Sequence, residues 1–205
     1  MLKLYRRLTP WLLCAGLTLL MGCVSPNAQQ TRFYRLSPES GSASSTNQTG
    51  EMSALQPKVG LGPVNLSGYL DRPQLISRIG PYQLILNDFE HWAGTLQDNI
   101  KAGLVDALQA RLGGDAVIAY PWHGAVRPSY ELILDFSRFD AEAGQLVLKV
   151  RWILLTERGD KLLAVRQVAI QEPMGGAAPE ALVAAASRAL DRLAEQLAAV
   201  IGSYP

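Results

Sequence analysis

Residues 130–170 contain three stretches in which apolar and polar side chains alternate, and this constrains the fold more than any other feature of the chain. Residues 130–139 set Leu132, Leu134 and Phe136 on one side and Ile133, Asp135 and Ser137 on the other. Residues 145–155 set Leu146, Leu148, Val150, Trp152 and Leu154 against Lys149 and Arg151. A period of two belongs to a half-buried strand, because successive side chains leave it on opposite faces. Residues 161–170 follow across the turn Glu157-Arg158-Gly159-Asp160. The three stretches therefore predict an antiparallel meander with one buried face.

A buried sheet face needs a cover, and two amphipathic segments supply it. Pro179 starts a helix over residues 180–201, with Leu182, Ala186, Leu190, Leu193, Leu197 and Val200 on one stripe and Arg188, Asp191, Arg192 and Glu195 on the solvated side. Asn87-Asp88 can cap a second helix over residues 89–112, with Leu96, Ile100, Leu104, Ala107 and Leu108 as its stripe and Trp92 and Leu112 at the edges. Gly113-Gly114 stops it. Further strands are predicted at residues 31–36, 58–65, 74–79, 83–86 and 116–120, with a turn at Gly80-Pro81. The expectation is a single α/β domain with a mixed sheet, a C-terminal antiparallel meander and two main amphipathic helices.

The N-terminal stretch does not belong to that domain. Lys3, Arg6 and Arg7 precede an apolar run over residues 11–21, which ends in Gly22-Cys23. About a dozen apolar residues fall short of the roughly 20 that span a bilayer. The pattern is that of a lipoprotein signal peptide cleaved before Cys23, which then carries acyl chains such as palmitate. Cys14 lies inside the apolar run after Leu13 and is lost with the leader. With Cys23 lipidated, no disulfide is available to the mature chain, which stands on its core alone. Val24 rather than Asp after the cysteine points to the periplasmic face of the outer membrane. The organisation is a signal peptide over 1–22, a lipidated tether over 23–30 and a domain over 31–205, with a polar, flexible loop at 37–56.

Losing Lys3, Arg6 and Arg7 takes the formal net charge from +1 to −2. A weakly acidic chain does not suit nucleic acid, which demands a basic patch. Catalytic and metal chemistry also lack carriers. The only histidines, His91 and His123, stand apart with no cysteine or carboxylate at ligand spacing. Gly60-Leu61-Gly62 lacks the third glycine and following helix of a nucleotide loop. Asp135 and Asp140 read as solvated charges on a strand. No enzyme, cofactor or metal site is expected. Three aromatic or proline-rich places remain, Tyr69-Leu70-Asp71-Arg72-Pro73, Phe89 to Trp92, and Tyr120 to Trp122, which read either as a turn, helix-start packing and strand-end packing or as candidate partner contacts. Tyr, Trp and Arg are favoured interface anchors.

Several of these motifs occur together in one family. Cys23 in its cleavage box, Phe33-Tyr34-Arg35-Leu36, Gly62-Pro63-Val64, the run Tyr69-Leu70-Asp71-Arg72-Pro73-Gln74-Leu75, Arg78, Phe89-Glu90-His91-Trp92-Ala93 and Tyr120-Pro121-Trp122 follow one another in order. The chain resembles the PqiC/YmbA-like family of ABC-type transport auxiliary lipoproteins, linked to MCE intermembrane transport. His91 and Gly94 depart from the Arg-Trp-Ala-Glu form of that family's corresponding stretch. The resemblance implies an anticodon-binding-domain-like α/β fold and a non-enzymatic role at the outer membrane. It implies an MCE-domain periplasmic protein and inner-membrane transporter components as partners, and a homo-oligomeric ring. A second reading is an envelope assembly or regulatory lipoprotein acting on a cell-wall synthase or outer-membrane machine.

Overall fold

The computed structural model describes residues 29–38, 59–113, 116–122, 127–156 and 159–204. The cleavage box, Cys23, most of the tether, residues 39–58, His123 and Glu157-Arg158 lie outside the described residues. The strands are β1 (Arg32–Tyr34), β2 (Val59–Leu66), β3 (Gln74–Ile79), β4 (Gln83–Trp92), β5 (Val117–Ala119), β6 (Tyr130–Glu142), β7 (Gln145–Thr156) and β8 (Leu162–Pro173). The helices are α1 (Leu96–Leu112) and α2 (Pro179–Gly202). Thr31–Pro205 forms one compact unit.

The expected meander organises the sheet. One edge of β6 pairs with β7 along its length, from Tyr130 opposite Thr156 to Glu142 opposite Gln145. Ala143 and Gly144 both take positive φ between them, which matches the right-handed twist of a tight hairpin. β8 pairs antiparallel with β7. The other edge of β6 is shared. β2 runs parallel to its first half, Val59 beside Tyr130 and Leu66 beside Phe136, and β3 meets its end at Ser77 beside Ala141. β5 extends the sheet beyond β2, while β4 and then β1 extend it beyond β3. The result is a mixed eight-stranded sheet.

Both helices cover the face that carries Leu132, Leu134, Leu148 and Leu154. α1 packs on β2 and β5, α2 packs on β7 and β8, and the helices pack on each other. Leu104, Leu108, Leu190 and Leu193 are fully buried with those strand residues. Gly103 permits the close approach: a Cβ there would stand 3.3 Å from Pro38 and 3.4 Å from Leu190. Ile201, rather than Val200, completes the buried stripe of α2. Its polar side is not simply solvated. Arg192 and Arg188 pair with Glu172, whose carboxylate is buried at the end of β8, and Asp191 pairs with Arg111 of α1.

The expected helix start at residue 89 is corrected. Phe89, Glu90, His91 and Trp92 continue β4, because long-range pairing satisfies their backbone. Arg32, Phe33 and Tyr34 lie parallel beside Glu90, His91 and Trp92, and the Trp92 amide donates to the Pro73 carbonyl at 2.7 Å. Gly94 then turns the chain at φ 89°, and Thr95 caps α1 by accepting from the Asp98 amide at 3.0 Å. After β1 the chain stays docked. The Leu36 amide donates to Asn99 of α1 and the Ser37 amide to Ser187 of α2.

Candidate functional site

The Tyr69–Pro73 stretch follows the end of β2 and is held from below. The Ser67 amide donates to the Phe136 carbonyl, the Leu70 amide to Ser67, and the Arg72 amide to Leu70. Leu70 is fully buried and acts as an apolar plug. Tyr69 donates from its hydroxyl to Asp140 Oδ2 at 2.7 Å, and the Arg78 guanidinium lies 5.6 Å from the centre of its ring. Past this anchor Asp71, Arg72 and Pro73 are exposed. Neither Asp71 nor Arg72 makes a side-chain hydrogen bond or ion pair among the described residues.

Asp140 is the centre of that support. It is fully buried, and it accepts from Tyr69, from Arg78 Nη2 at 3.1 Å and from Arg138 Nε at 2.9 Å. Arg138 also reaches Glu142 at 2.7 Å. A carboxylate with no solvent access needs such partners, since an unpaired buried charge is far costlier than a paired one. The expectation that Asp140 is a solvated strand charge is therefore corrected. The β6–β7 register shifts between Phe136 and Arg138, which turns Arg138 and Asp140 to the helix-free face, where Tyr69, Arg78 and Arg138 cover the carboxylate. Burial, with the Asp140 hydrogen bond, pushes the Tyr69 phenol up to about 12, so it remains a donor at neutral pH.

The remaining sequence candidates separate. Trp92 is in the core, tilted against Phe139 at 6.4 Å between ring centres. Tyr120 is exposed and meets the half-buried Trp122 edge-to-face at 5.2 Å. Trp122 lies over Gly60, where a Cβ would come within 2.7 Å of its ring. The Tyr120 amide donates to Leu61 near the start of β2, whereas the Tyr69–Pro73 stretch follows that strand's other end. These are two patches rather than one. Six of the eight contact candidates therefore reach the surface in full or in part, Tyr69, Asp71, Arg72 and Pro73 in one patch and Tyr120 and Trp122 in the other, while Leu70 and Trp92 are buried.

Two polar arrangements escaped the sequence reading. Glu90 is buried on β4, where Arg32 Nε donates to both its oxygens at 3.0 Å and Tyr34 donates at 2.6 Å. Arg32 and Tyr34 also reach Glu180 at the start of α2. Hydrogen bonds from Arg32 and then Tyr34 hold the Glu90 carboxyl below its ordinary range. No local signal joins residues 58 positions apart. On the helix-free face, a groove of about 380 Å³ is lined by Asn65, Ser67, Asp135, Arg151 and Gln167 among others. Asp135 accepts from Asn65 at 2.7 Å and from Arg151 at 2.8 Å, and these hydrogen bonds hold its carboxyl below the ordinary range.

No group of three or more His, Cys, Asp or Glu among the described residues is placed to hold a metal. His91 is half-buried with its ring edge-to-face on Phe33 at 6.0 Å.

A family model described as "ABC-type transport auxiliary lipoprotein component" matches residues 34–198. The search of curated proteins finds no match. Among solved structures, an uncharacterized protein has a TM-score of 0.67 at 14% identity, covering 84% of this chain and 99% of that one. Protein XCC0632 from Xanthomonas campestris has a TM-score of 0.61 at 17% identity, covering 84% of this chain and 97% of that one. At such identities the likeness is one of fold.

Proposed function

The chain belongs to the ABC-type transport auxiliary lipoprotein components, and on that premise we propose that it is the outer-membrane subunit of an MCE-linked intermembrane transporter of lipid or hydrophobic solute. Its work in this reading is positional and non-enzymatic. The lipid on Cys23 holds the domain at the periplasmic face of the outer membrane, and the domain receives the outer end of a conduit formed by an MCE-domain protein. Inner-membrane components supply the energy.

The observation that carries the reading is the family match, which spans α1, most of α2 and every strand after β1. The geometry supports it through the Tyr69–Pro73 stretch. A mobile contact loop loses conformational entropy on binding, whereas a stretch already tied to Asp140 and plugged by Leu70 loses less. Asp71, Arg72 and Pro73 are thus presented as a preorganised polar contact. Docking on a protein surface also suits a domain whose buried carboxylates, Asp140, Glu90 and Glu172, are all engaged by guanidinium groups.

The test is affinity capture of the lipidated, tagged chain from its own envelope, followed by protein identification. An MCE-domain protein with a membrane permease or ATPase is the expected companion. Recovery of a cell-wall synthase or outer-membrane barrel protein with no MCE-domain protein would transfer the chain to the envelope-assembly reading.

A further inference from the structure

The β3–β4 hairpin ends in an apolar, uncharged tip that the domain does not cover. Ile79 pairs with Gln83 across the turn Gly80-Pro81-Tyr82. Tyr82 is 97% exposed, Ile79 57% and Ile85 43%. Residues 79–87 contain no Asp, Glu, Lys or Arg. Ile85 lies opposite Ser77, two positions from Ile79 along the paired strands, so the two isoleucines share a face of the hairpin. Gly80 at φ 61° is followed by Pro81, whose ring restricts the backbone further, so the tip is a fixed shape rather than a loose loop.

The direction of the chain says what such a tip meets. β1 is parallel to β4, with Arg32 beside Glu90, so the residues before Arg32 enter the sheet from the side on which β4 begins. That is the hairpin end. Cys23 precedes Arg32 by nine residues, a reach of about 30 Å when extended. From Glu90 back to Gln83 the strand covers about 23 Å. Nine residues of chain are therefore long enough for a lipid at Cys23 and the tip at Tyr82 to meet one bilayer.

We propose that the β3–β4 tip, through Tyr82, Ile79 and Ile85, rests in the headgroup region of the bilayer that holds the Cys23 lipid. This rests on the anchoring reading given above. Tyrosine suits that depth because its ring is apolar and its hydroxyl stays hydrated, and isoleucine beside it adds apolar area. The absence of charge from residues 79–87 means that no ion is stripped of water on entry. With the lipid as one attachment and the tip as another, the domain takes one orientation on the membrane, which a single flexible tether does not impose.

The test uses the full lipidated chain carrying Tyr82→Cys, labelled with an environment-sensitive dye. The chain is reconstituted in phosphatidylethanolamine–phosphatidylglycerol vesicles, and Leu162→Cys serves as a labelled control. Flotation and the mass of the N-terminal peptide report the anchor separately. The expected result is blue-shifted emission at position 82 that brominated lipid quenches, with neither effect at 162. A floating, lipidated chain whose dye at 82 reads as water-exposed overturns the tip contact and leaves the anchor intact. Blue-shifted emission that brominated lipid does not quench overturns it in favour of a contact with a second copy. A chain without lipid at Cys23 that does not float overturns both.

Discussion

Tyr69 donates its phenolic hydrogen to Asp140 across 71 residues of sequence, joining the stretch after β2 to the far half of β6. Leu70 then points into the core while Asp71 and Arg72 stay outside. The same carboxylate draws in Arg78 and Arg138, so one buried negative charge orders three side chains.

Removing that charge is expected to cost more than removing the phenol. Asp140→Asn leaves two largely buried guanidiniums facing a neutral group, which lowers stability by about 3 kcal/mol. Tyr69→Phe deletes one hydrogen bond to a charged acceptor and costs about 1.5 kcal/mol. Equilibrium urea unfolding of both variants measures the difference. Equal small losses would mean that Asp140 is not the organising group.

Gly60 has no room for a side chain. A Cβ there would stand 2.6 Å from Pro128 and 2.7 Å from Trp122. Gly60→Ala is therefore expected to displace Trp122 and to destabilise the fold by about 2 kcal/mol. Increased quenching of tryptophan emission by acrylamide, together with a lower urea midpoint, reads both effects. An unchanged midpoint would show that the ring yields without cost.

Glu90 makes stability depend on acid. Its folded carboxyl titrates below its ordinary range because Arg32 and Tyr34 hydrogen-bond the ionised form. The unfolded chain takes up that proton near pH 4.3, so the contribution is complete above that value and disappears as pH falls through the lower folded one. Glu90→Gln should therefore melt below the unaltered chain at pH 7, with the gap narrowing below about pH 4. Thermal melts between neutral and acidic pH measure it. A gap independent of pH would remove Glu90 as the source.

The meander and α2 were legible because their patterns are local. Alternation at residues 132, 134, 146, 148, 150, 152 and 154 placed every one of those side chains in the core. Leu193, chosen from the helical stripe, is also fully buried, and Leu193→Asp is expected to abolish cooperative unfolding, followed by circular dichroism. The start of α1 was not legible in the same way. Residues 89–92 are strand because β1 pairs with them, and neither Arg32 nor Pro73 is near them in sequence. Thr95 followed by Asp98 was the available local signal for the cap. Asp140 was misread because the side chains that cover it on the helix-free face, Tyr69 and Arg78, lie 71 and 62 positions away in sequence. For the contact site, Asp71, Arg72 and Pro73 could be singled out by residue type. Leu70 and Trp92 could not be assigned to the core without the tertiary packing that buries them.

Charge reversal at Arg72 tests the docking account most directly, since this side chain is exposed and has no partner among the described residues. Arg72→Glu in the lipidated chain is compared with the unaltered chain for melting temperature and for co-purification of the MCE-domain protein. The account expects the same melting temperature and at least about a tenfold loss of the co-purified protein, as for the loss of an arginine anchor at an interface. An unchanged yield of the MCE-domain protein from a folded variant would contradict it.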